Sequence, residues 1–274
     1  MIARRLLVHV PLLLAAGIAF LPLLLVLSAA FTPNELVLAD PLRLLPYHPS
    51  LANFTDALRR YPVMTWLGNS VLTAGAITIG KLALSLPAGY AFAKLRFRGR
   101  ETLFWVILAT MTFPAVVAIL PSYIAVVRLG LFDTYAAMII PSIPYIGFYV
   151  FYSRETFRRL PDAMLEAARI DGAGTLRQFL AIALPNVLPS VAALAVIAFL
   201  GAWNIYLWAQ LVLEDTAHKT IVTGIAMFAD IEGGQRLWGP LMATSVLSTL
   251  PVLLLFLLAQ RWIAEAFAPG TAEQ

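Results

Sequence analysis

The sequence predicts an all-α integral membrane protein with six transmembrane helices. Hydrophobic residues make up 61% of the 274 residues and charged residues only 12%, whereas soluble domains are about 45–50% apolar. The mean hydropathy is +0.83. A bilayer core about 30 Å thick requires roughly 20 apolar residues for each helix that crosses it, so the chain has room for about six spans. We therefore expect a single transmembrane domain covering residues 1–274.

Six apolar segments are long enough to cross a bilayer. The first follows Arg4 and Arg5, as the apolar core of a signal peptide would. Its apolar run is longer than the roughly 7–15 residues of such a core, so we interpret it as a retained helix. The predicted spans are about residues 10–31, 66–92, 103–127, 135–152, 184–213 and 238–263.

The distribution of basic residues predicts the orientation of these spans. With the N-terminus in the cytoplasm, twelve of the 19 Lys and Arg residues fall in cytoplasmic segments and six in external ones, while Lys81 remains inside a span. Cytoplasmic loops of membrane proteins carry such an excess of positive charge. We therefore expect both termini on the cytoplasmic side, and the basic cluster at residues 94–100 fits this orientation best.

One segment imitates a nucleotide-binding loop. Residues 75–81 match the pattern G-x-x-x-x-G-K, but Leu82 occupies the position where Ser or Thr would bind Mg²⁺. The segment also lies within an apolar helix, without the change from strand to loop that the site requires. We expect no nucleotide site here, so ATP-derived energy would have to come from a partner.

The sequence offers no catalytic or metal site. Cysteine is absent, which excludes disulfides and thiolate ligands. The three histidines, His9, His48 and His218, are not spaced with a carboxylate as metal ligands are. We therefore expect no catalytic residue and no bound metal.

The long loop at residues 160–182 predicts two short helices outside the membrane. Pro161 suits the first position of a helix, and Gly172 suits the left-handed residue that ends it. Thr175 and Gln178 have the spacing of a capping box at the start of the second helix, and Pro185 ends the run near the membrane.

The first of these helices is suited to docking on another protein. Small alanines would let one face enter a groove, while apolar and charged neighbours would supply contacts and rim ion pairs. The alternative is an ordinary amphipathic helix that packs on its own membrane domain, and composition alone does not choose between the two. The residues concerned are Met164, Leu165, Glu166, Ala167, Ala168, Arg169 and Asp171.

The spacing within this loop carries a family resemblance. Glu166-Ala167-Ala168 is followed after three residues by Gly172, after nine more by Ile182, and after one more by Leu184-Pro185. This pattern resembles the EAA loop of binding-protein-dependent ABC importer permeases. The resemblance extends from about Asn69 to the C-terminus. It is strongest to the carbohydrate branch, which includes permease subunits for maltose and glycerol 3-phosphate, through Leu95-Arg-Phe-Arg-Gly99, Trp203-Asn204 and Tyr206-Leu207-Trp208.

The resemblance implies a type I ABC importer permease fold and a non-catalytic subunit in a bacterial-type cytoplasmic (inner) membrane. It implies a sugar, polyol or glycerol 3-phosphate as solute. The implied partners are a second related permease, two ABC ATPase subunits that bind ATP and Mg, and an extracytoplasmic solute-binding protein, with no cofactor on this chain and no nucleic acid. Residues 160–182 would be the coupling loop, and its ATPase-coupling residues would be Glu166, Ala167, Ala168, Asp171, Gly172 and Ala173.

An ion-coupled secondary transporter is the alternative function. Such a protein needs carboxylates inside its spans, whereas all 15 acidic residues fall in the predicted loops or termini. A membrane-embedded enzyme would need a cluster of acid, base or metal residues. The sequence therefore favours an ATP-driven importer.

Four residues are candidates for the substrate pathway. Trp203, Asn204 and Tyr206 of the fifth span could stack on and hydrogen-bond a polyol, or could belong to an interfacial aromatic belt. Lys81 could attract an anionic solute, or its side chain could extend to the interface while the solute is neutral. Movement of the spans would need flexible points, for which the candidates are Pro87, Gly89, Pro114, Pro121, Pro141, Pro144, Pro189 and Gly201.

Overall fold

The computed structural model describes residues 2–229 and 237–267, and the regular structure within them is entirely helical. Three-residue 3₁₀ turns lie at Thr110–Thr112 and Ile140–Ser142, and a π-helical stretch lies at Gln178–Ala183. The α-helices of these described residues are α1 (Ile2–Phe31), α2 (Asn34–Val37), α3 (Ala52–Arg60), α4 (Val63–Lys94), α5 (Arg100–Ala109), α6 (Ala115–Arg128), α7 (Tyr135–Ile139), α8 (Gly147–Arg158), α9 (Asp162–Ile170), α10 (Thr175–Arg177), α11 (Leu184–Asn186), α12 (Leu188–Trp203), α13 (Leu207–Val212), α14 (Ile221–Ala226) and α15 (Trp238–Phe267).

Three single helices are long and apolar enough to cross a membrane. They comprise His9–Phe31, Val63–Lys94 and Trp238–Glu265. At 1.5 Å per residue each exceeds the roughly 30 Å hydrocarbon core. These helices coincide with the predicted first, second and sixth spans.

Three further spans consist of two helices joined at a bend. Arg100–Thr112 meets Ala115–Arg128 at 93°, and Tyr135–Ser142 meets Gly147–Arg158 at 52°. Thr175–Asn186 meets Leu188–Trp203 at 82°. Counting each bent pair as one span, the described residues contain up to six spans.

Prolines lie at each bend, because proline has no N–H to continue a helix. Pro114 precedes α6, Pro144 lies between the two helices of the fourth span, and Pro189 is the second residue of α12. By contrast, Pro87 and Pro121 lie within continuous helices. Only some of the predicted flexible points are therefore breaks in the structure.

The fifth span differs from the continuous segment expected at residues 184–213. The chain leaves helical geometry at Val187, and α12 ends at Trp203 before α13 begins at Leu207. At the second break, the side-chain amide of Asn204 donates to the Leu200 carbonyl at 2.8 Å, in addition to the backbone N–H of Asn204, and so caps the end of α12.

Contacts between Cα atoms divide the chain into two compact units. The first comprises Met1–Asn69 and Lys219–Pro251. It contains the short helix α3. Asn53 on this helix is 2% exposed, and its Nδ2 donates to the carbonyl of Ala30 at 2.9 Å and of Thr32 at 2.6 Å. Asn53 thus satisfies carbonyls at the C-terminal end of α1.

The second unit comprises Ser70–His218 and Val252–Gln274 and contains the candidate site residues. Its helices α4 and α8 approach closely at Gly89, where a Cβ atom would lie 2.4 Å from Cβ of Ser153. At Gly80 a Cβ atom would lie 2.6 Å from Ile143 Cδ1. Gly80 is therefore a packing residue within α4, which explains the accidental match to the nucleotide-binding pattern.

We predict that Asn53→Ala destabilises the protein by about 1–3 kcal/mol, the cost of leaving buried carbonyl groups without a partner. The measurement is the midpoint of thermal unfolding of the purified protein in detergent, followed by tryptophan fluorescence. Thr55→Ala on the same helix is the control, because Thr55 donates only to the exposed carbonyl of Ala52. Equal midpoints for the two variants would contradict the role of Asn53.

Candidate functional site

Helix α9 of the coupling loop divides its residues between the protein core and the exterior. Leu165 and Ala168 lie three residues apart on one face and are buried. Leu165 packs with Tyr90, Phe157 and Phe179. The slim docking face expected from Ala167 and Ala168 together is wrong, because Ala168 turns toward the core and only Ala167 is exposed. Leu165, expected as an apolar docking contact, is likewise committed to the core.

The opposite side of the coupling loop exposes two large apolar residues. Ile170 is 87% exposed at the end of α9, and Leu176 is 69% exposed in α10. The charged residues Glu166 and Asp171 are also exposed. Large apolar side chains with charged neighbours outside a core indicate an interaction surface. One face of α9 therefore packs on its own membrane domain, and the exposed face is available for the docking that the sequence suggests.

Gly172 ends α9 in the predicted left-handed conformation, with φ +82°. Its N–H donates to the Arg169 carbonyl at 3.1 Å, and the N–H of Ala173 donates to the Ala168 carbonyl at 2.9 Å. These two bonds make a Schellman motif. A Cβ atom at Gly172 would meet nothing within 4 Å, so only the backbone conformation requires glycine here.

The expected N-terminal signals of the two loop helices are shifted by one residue. Pro161 precedes α9 in an extended conformation and is not its first helical residue. Gly174 precedes α10, so the hydroxyl of Thr175 makes no capping bond. Instead, Nε2 of Gln178 donates to the Ala173 carbonyl at 2.6 Å. The predicted capping box is wrong, but Gln178 still closes the turn by a different bond.

An ion pair joins the coupling loop to the end of α4. Nζ of Lys94 lies 2.6 Å from Oδ1 of Asp162 and donates to the Leu160 carbonyl at 2.6 Å. The hydrogen bond from Lys94, together with its positive charge, holds the pKa of Asp162 below its usual range. Asp162 is thus ionised at neutral pH.

Lys81 lies on α4 and faces an aromatic ring. Its Nζ is 4.9 Å from the centre of the Tyr149 ring, a cation–π distance. Among the described residues Lys81 has neither a hydrogen bond nor an ion pair. Tyr149 itself lies beside α12, because a Cβ atom at Gly201 would be 3.8 Å from its hydroxyl. Tyr149 is not predictable from the sequence, since nothing distinguishes it from the other aromatic residues of the fourth span.

The three aromatic and amide candidates of the fifth span have different surroundings. Trp203 is buried and its ring stacks on Phe199 at 5.6 Å. Asn204 is exposed and Tyr206 is 43% exposed. Only Asn204 and Tyr206 therefore present accessible polar groups, while Trp203 contributes to packing.

An unexpected cluster of side chains joins the loop between α6 and α7 to the loop that follows α13. Ligand-type atoms of Asp133, Asp215 and His218 lie within 4.8 Å of one another, a proximity that the sequence spacing of His218 did not indicate. Oδ1 of Asp133 accepts the backbone N–H groups of Glu214 and Asp215 and lies 3.2 Å from Nδ1 of His218. Burial raises the pKa of Asp133, but these bonds outweigh it and hold the pKa below its usual value. These contacts hold the two loops together, as expected for a structural role.

Comparison with known proteins supplies independent information. Residues 85–269 match the model of a family described as binding-protein-dependent transport system inner membrane component. The sn-glycerol-3-phosphate transport system permease protein UgpE of Yersinia pestis is 39% identical over 201 residues, which cover 73% of this chain and 71% of that protein. The protein of the same name from Agrobacterium fabrum is 35% identical over 236 residues, covering 84% of this chain and 83% of the other.

The fold is also similar to that of a solved transporter. A chain of a bacterial ABC transporter involved in the import of the acidic polysaccharide alginate superposes with a TM-score of 0.83. The two chains are 22% identical, and the match covers 95% of this chain and 96% of that one. A second structure, a bacterial alginate ABC transporter in complex with an alginate pentasaccharide-bound periplasmic protein, superposes with a TM-score of 0.67 over 97% of both chains at 16% identity.

Proposed function

Because this chain belongs to the family of binding-protein-dependent transport system inner membrane components, we propose that it pairs with a second, related permease and with two ATPase subunits. It is a multi-pass permease subunit of an ABC importer and not itself an enzyme. ATP and Mg would be bound by the ATPases, and an extracytoplasmic binding protein would deliver the solute. The family membership favours ATP-driven import over the ion-coupled alternative.

The exposed face of the coupling loop is the observation that carries the docking proposal. Ile170 and Leu176 expose apolar surface outside the spans, next to the charges of Glu166 and Asp171. Burying an isoleucine or leucine side chain contributes about 1.5–3 kcal/mol. This face therefore fits a protein partner, and an ATPase that moves it would move the helices packed behind α9.

Transport would proceed by alternating access. ATP binding would bring the two ATPases together and carry the coupling loops with them, and the helix bundles would rock around a shared cavity. The bends at residues 113–114, 143–146 and 187 divide three spans of this chain into separate helices. Such divided spans let parts of a bundle reorient without unfolding.

We predict that Gly172→Val lowers transport about tenfold in the complete reconstituted transporter. A β-branched residue pays about 1–2 kcal/mol in the left-handed conformation, which depopulates the native turn. The ATPases should dissociate or hydrolyse ATP without transport, while the permease still inserts. The measurements are solute uptake, ATP hydrolysis and co-purification of the ATPases.

Gly174→Ala is the matched control for this variant. Gly174 has the same open surroundings but an ordinary φ of −67°, so alanine fits without strain. Normal uptake and coupling with Gly172→Val would show that this turn does not engage the ATPases.

For the solute, we propose a phosphorylated polyol of the glycerol 3-phosphate type. Two relatives at 39% and 35% identity are named as permeases for that compound. Lys81 is a cation within a span that has no anionic partner among the described residues. Such a charge is costly in a membrane unless a ligand or water completes its environment, and a transported phosphate would do so.

We predict that Lys81→Met lowers uptake of glycerol 3-phosphate at least tenfold, whereas Lys81→Arg retains much of it. Uptake by the wild-type transporter should be inhibited by salt, and Lys81→Met should lose this salt dependence. Both variants should assemble with their partners in normal amounts. Unchanged uptake by Lys81→Met, or a loss explained by poor assembly alone, would favour a neutral carbohydrate as the solute.

We further propose that both termini lie in the cytoplasm. The Lys94–Asp162 ion pair brings two basic loops to the same side of the second unit. The bonds of Asp133 with Glu214 and Asp215 join two loops that the alternation of spans assigns to the other side. The excess of positive charge favours the first side as cytoplasmic. The C-terminal residues 268–274 lie outside the described part of the chain.

Labelling of single cysteines should verify this orientation. The chain has no natural cysteine, and the exposed residues Arg98, Leu176 and Glu214 are suitable positions. In intact cells an impermeant maleimide should label Glu214→Cys only, and all three variants should react after the cells are opened. Labelling of Leu176→Cys in intact cells would invert the topology and exclude ATPase docking at the coupling loop.

A further inference from the structure

Lys94 is the last residue of α4, and it binds both residues that flank Pro161 at the entrance to the coupling loop. Its Nζ lies 2.6 Å from the Leu160 carbonyl and 2.6 Å from Oδ1 of Asp162. Only 6% of the Lys94 side chain is exposed, whereas Asp162 is 78% exposed. We propose that Lys94 is a positioning residue that transmits movement of the coupling loop to α4. This inference rests on the proposed docking of an ATPase at that loop.

The burial of Lys94 distinguishes this contact from a surface ion pair. Exposed pairs contribute little, because water solvates both partners after they separate. Because the Lys94 side chain is largely buried, water cannot readily replace its two partners. Separation from Leu160 and Asp162 would therefore leave the ammonium group without hydrogen bonds. The contact therefore resists separation when the coupling loop is displaced.

Apolar packing behind the coupling loop cannot replace this contact. Tyr90 lies one turn before Lys94 on the same face of α4, and its ring contacts Phe157 at 5.5 Å and Phe179 at 5.2 Å between centroids. These apolar contacts are not directional, so they permit sliding between the elements. The two bonds of Lys94 have fixed geometry and define where α9 begins relative to the end of α4.

The same helix connects this contact with the candidate solute site. Helix α4 is continuous from Val63 to Lys94 and carries Lys81. Lys81 and Lys94 are thirteen residues apart, or about 20 Å along the helix axis. Pro87 lies between the two lysines and removes one backbone hydrogen bond of α4, but the helix continues through it without a break, so this segment is expected to move largely as one body. Displacement of the coupling loop would thus also move the part of α4 that carries Lys81.

The test uses the complete transporter, with its partner permease, ATPases and binding protein, reconstituted in proteoliposomes. The variants are Lys94→Met, which keeps the length but removes the donor, and Lys94→Arg, which restores a buried cation. The measured quantities are ATPase content, ATP hydrolysis, and glycerol 3-phosphate taken up per ATP hydrolysed. Arg98→Met is the matched control, because Arg98 is an exposed basic residue of the short loop that follows α4.

We expect Lys94→Met to retain the ATPases and at least half of the ATP hydrolysis, while uptake per ATP falls about tenfold. Lys94→Arg should recover most of that ratio, and Arg98→Met should leave it unchanged. Asp162→Asn should lower the ratio less than Lys94→Met, because the bond to Leu160 remains. This separation of hydrolysis from uptake is not expected from a residue that serves only folding.

Three results would overturn the proposal. Uptake per ATP within twofold of the wild type in Lys94→Met would show that the contact transmits nothing. Loss of the ATPases or of assembled transporter in that variant would show that Lys94 is needed for folding or assembly. An equal loss of uptake per ATP in Arg98→Met would show that the effect comes from the positive charge near the end of α4 and not from the contact of Lys94. Gly172→Val in the same assay separates the two proposals: if it uncouples transport while Lys94→Met does not, docking stands and only the role of Lys94 is lost.

Discussion

Backbone hydrogen bonding constrains this structure more than any single packing contact. In the hydrocarbon core no water is available to bond an exposed N–H or carbonyl group, so every break in a spanning helix needs a replacement partner. The second unit contains several such breaks, and a polar side chain stands at the end of the helix before each one. These side chains donate to carbonyls three or four residues earlier: Thr110 to Ile107 at 2.6 Å, Thr112 to Ala109 at 2.7 Å, Ser142 to Met138 at 2.7 Å, Asn186 to Ile182 at 2.7 Å and Asn204 to Leu200 at 2.8 Å.

A side-chain cap alone does not decide which prolines interrupt a span, because Thr249 donates to the Ser245 carbonyl two residues before Pro251, which lies inside the continuous helix α15. Pro114 and Pro144 lie at breaks and follow closely after the capping residues Thr112 and Ser142, whereas Pro87 remains inside α4. Hydropathy predicts the three unbroken spans, because their apolar runs are long and uniform. It does not predict the bends, since a proline shows where a bond is lost but not whether the chain turns there.

The candidate site was predictable where a local rule determines it. The left-handed Gly172 follows from the need to end a helix within a short loop. The pairing of Lys94 with Asp162, and that of Lys81 with Tyr149, joins residues 68 positions apart in both cases. No local pattern specifies such contacts, because they depend on how α4 packs against α8. The division of α9 between core and exterior also depends on this packing, so composition alone could not assign Ala168 to the core.

Two lysines on one helix show how the same side chain serves different purposes. Lys94 is buried at the end of α4 and bonded to a carboxylate and a carbonyl. Lys81 lies within the span, and its ammonium group faces the ring of Tyr149. A cation–π contact contributes about 0.5–2 kcal/mol, less than the roughly 2.5–3.5 kcal/mol cost of a lysine at the centre of a membrane. Under the proposed function, a solute that carries negative charge would supply a further partner for Lys81 during its passage. A permanent carboxylate at this position would compete with an anionic solute, so an unpaired lysine is consistent with the proposed transport of an organic phosphate.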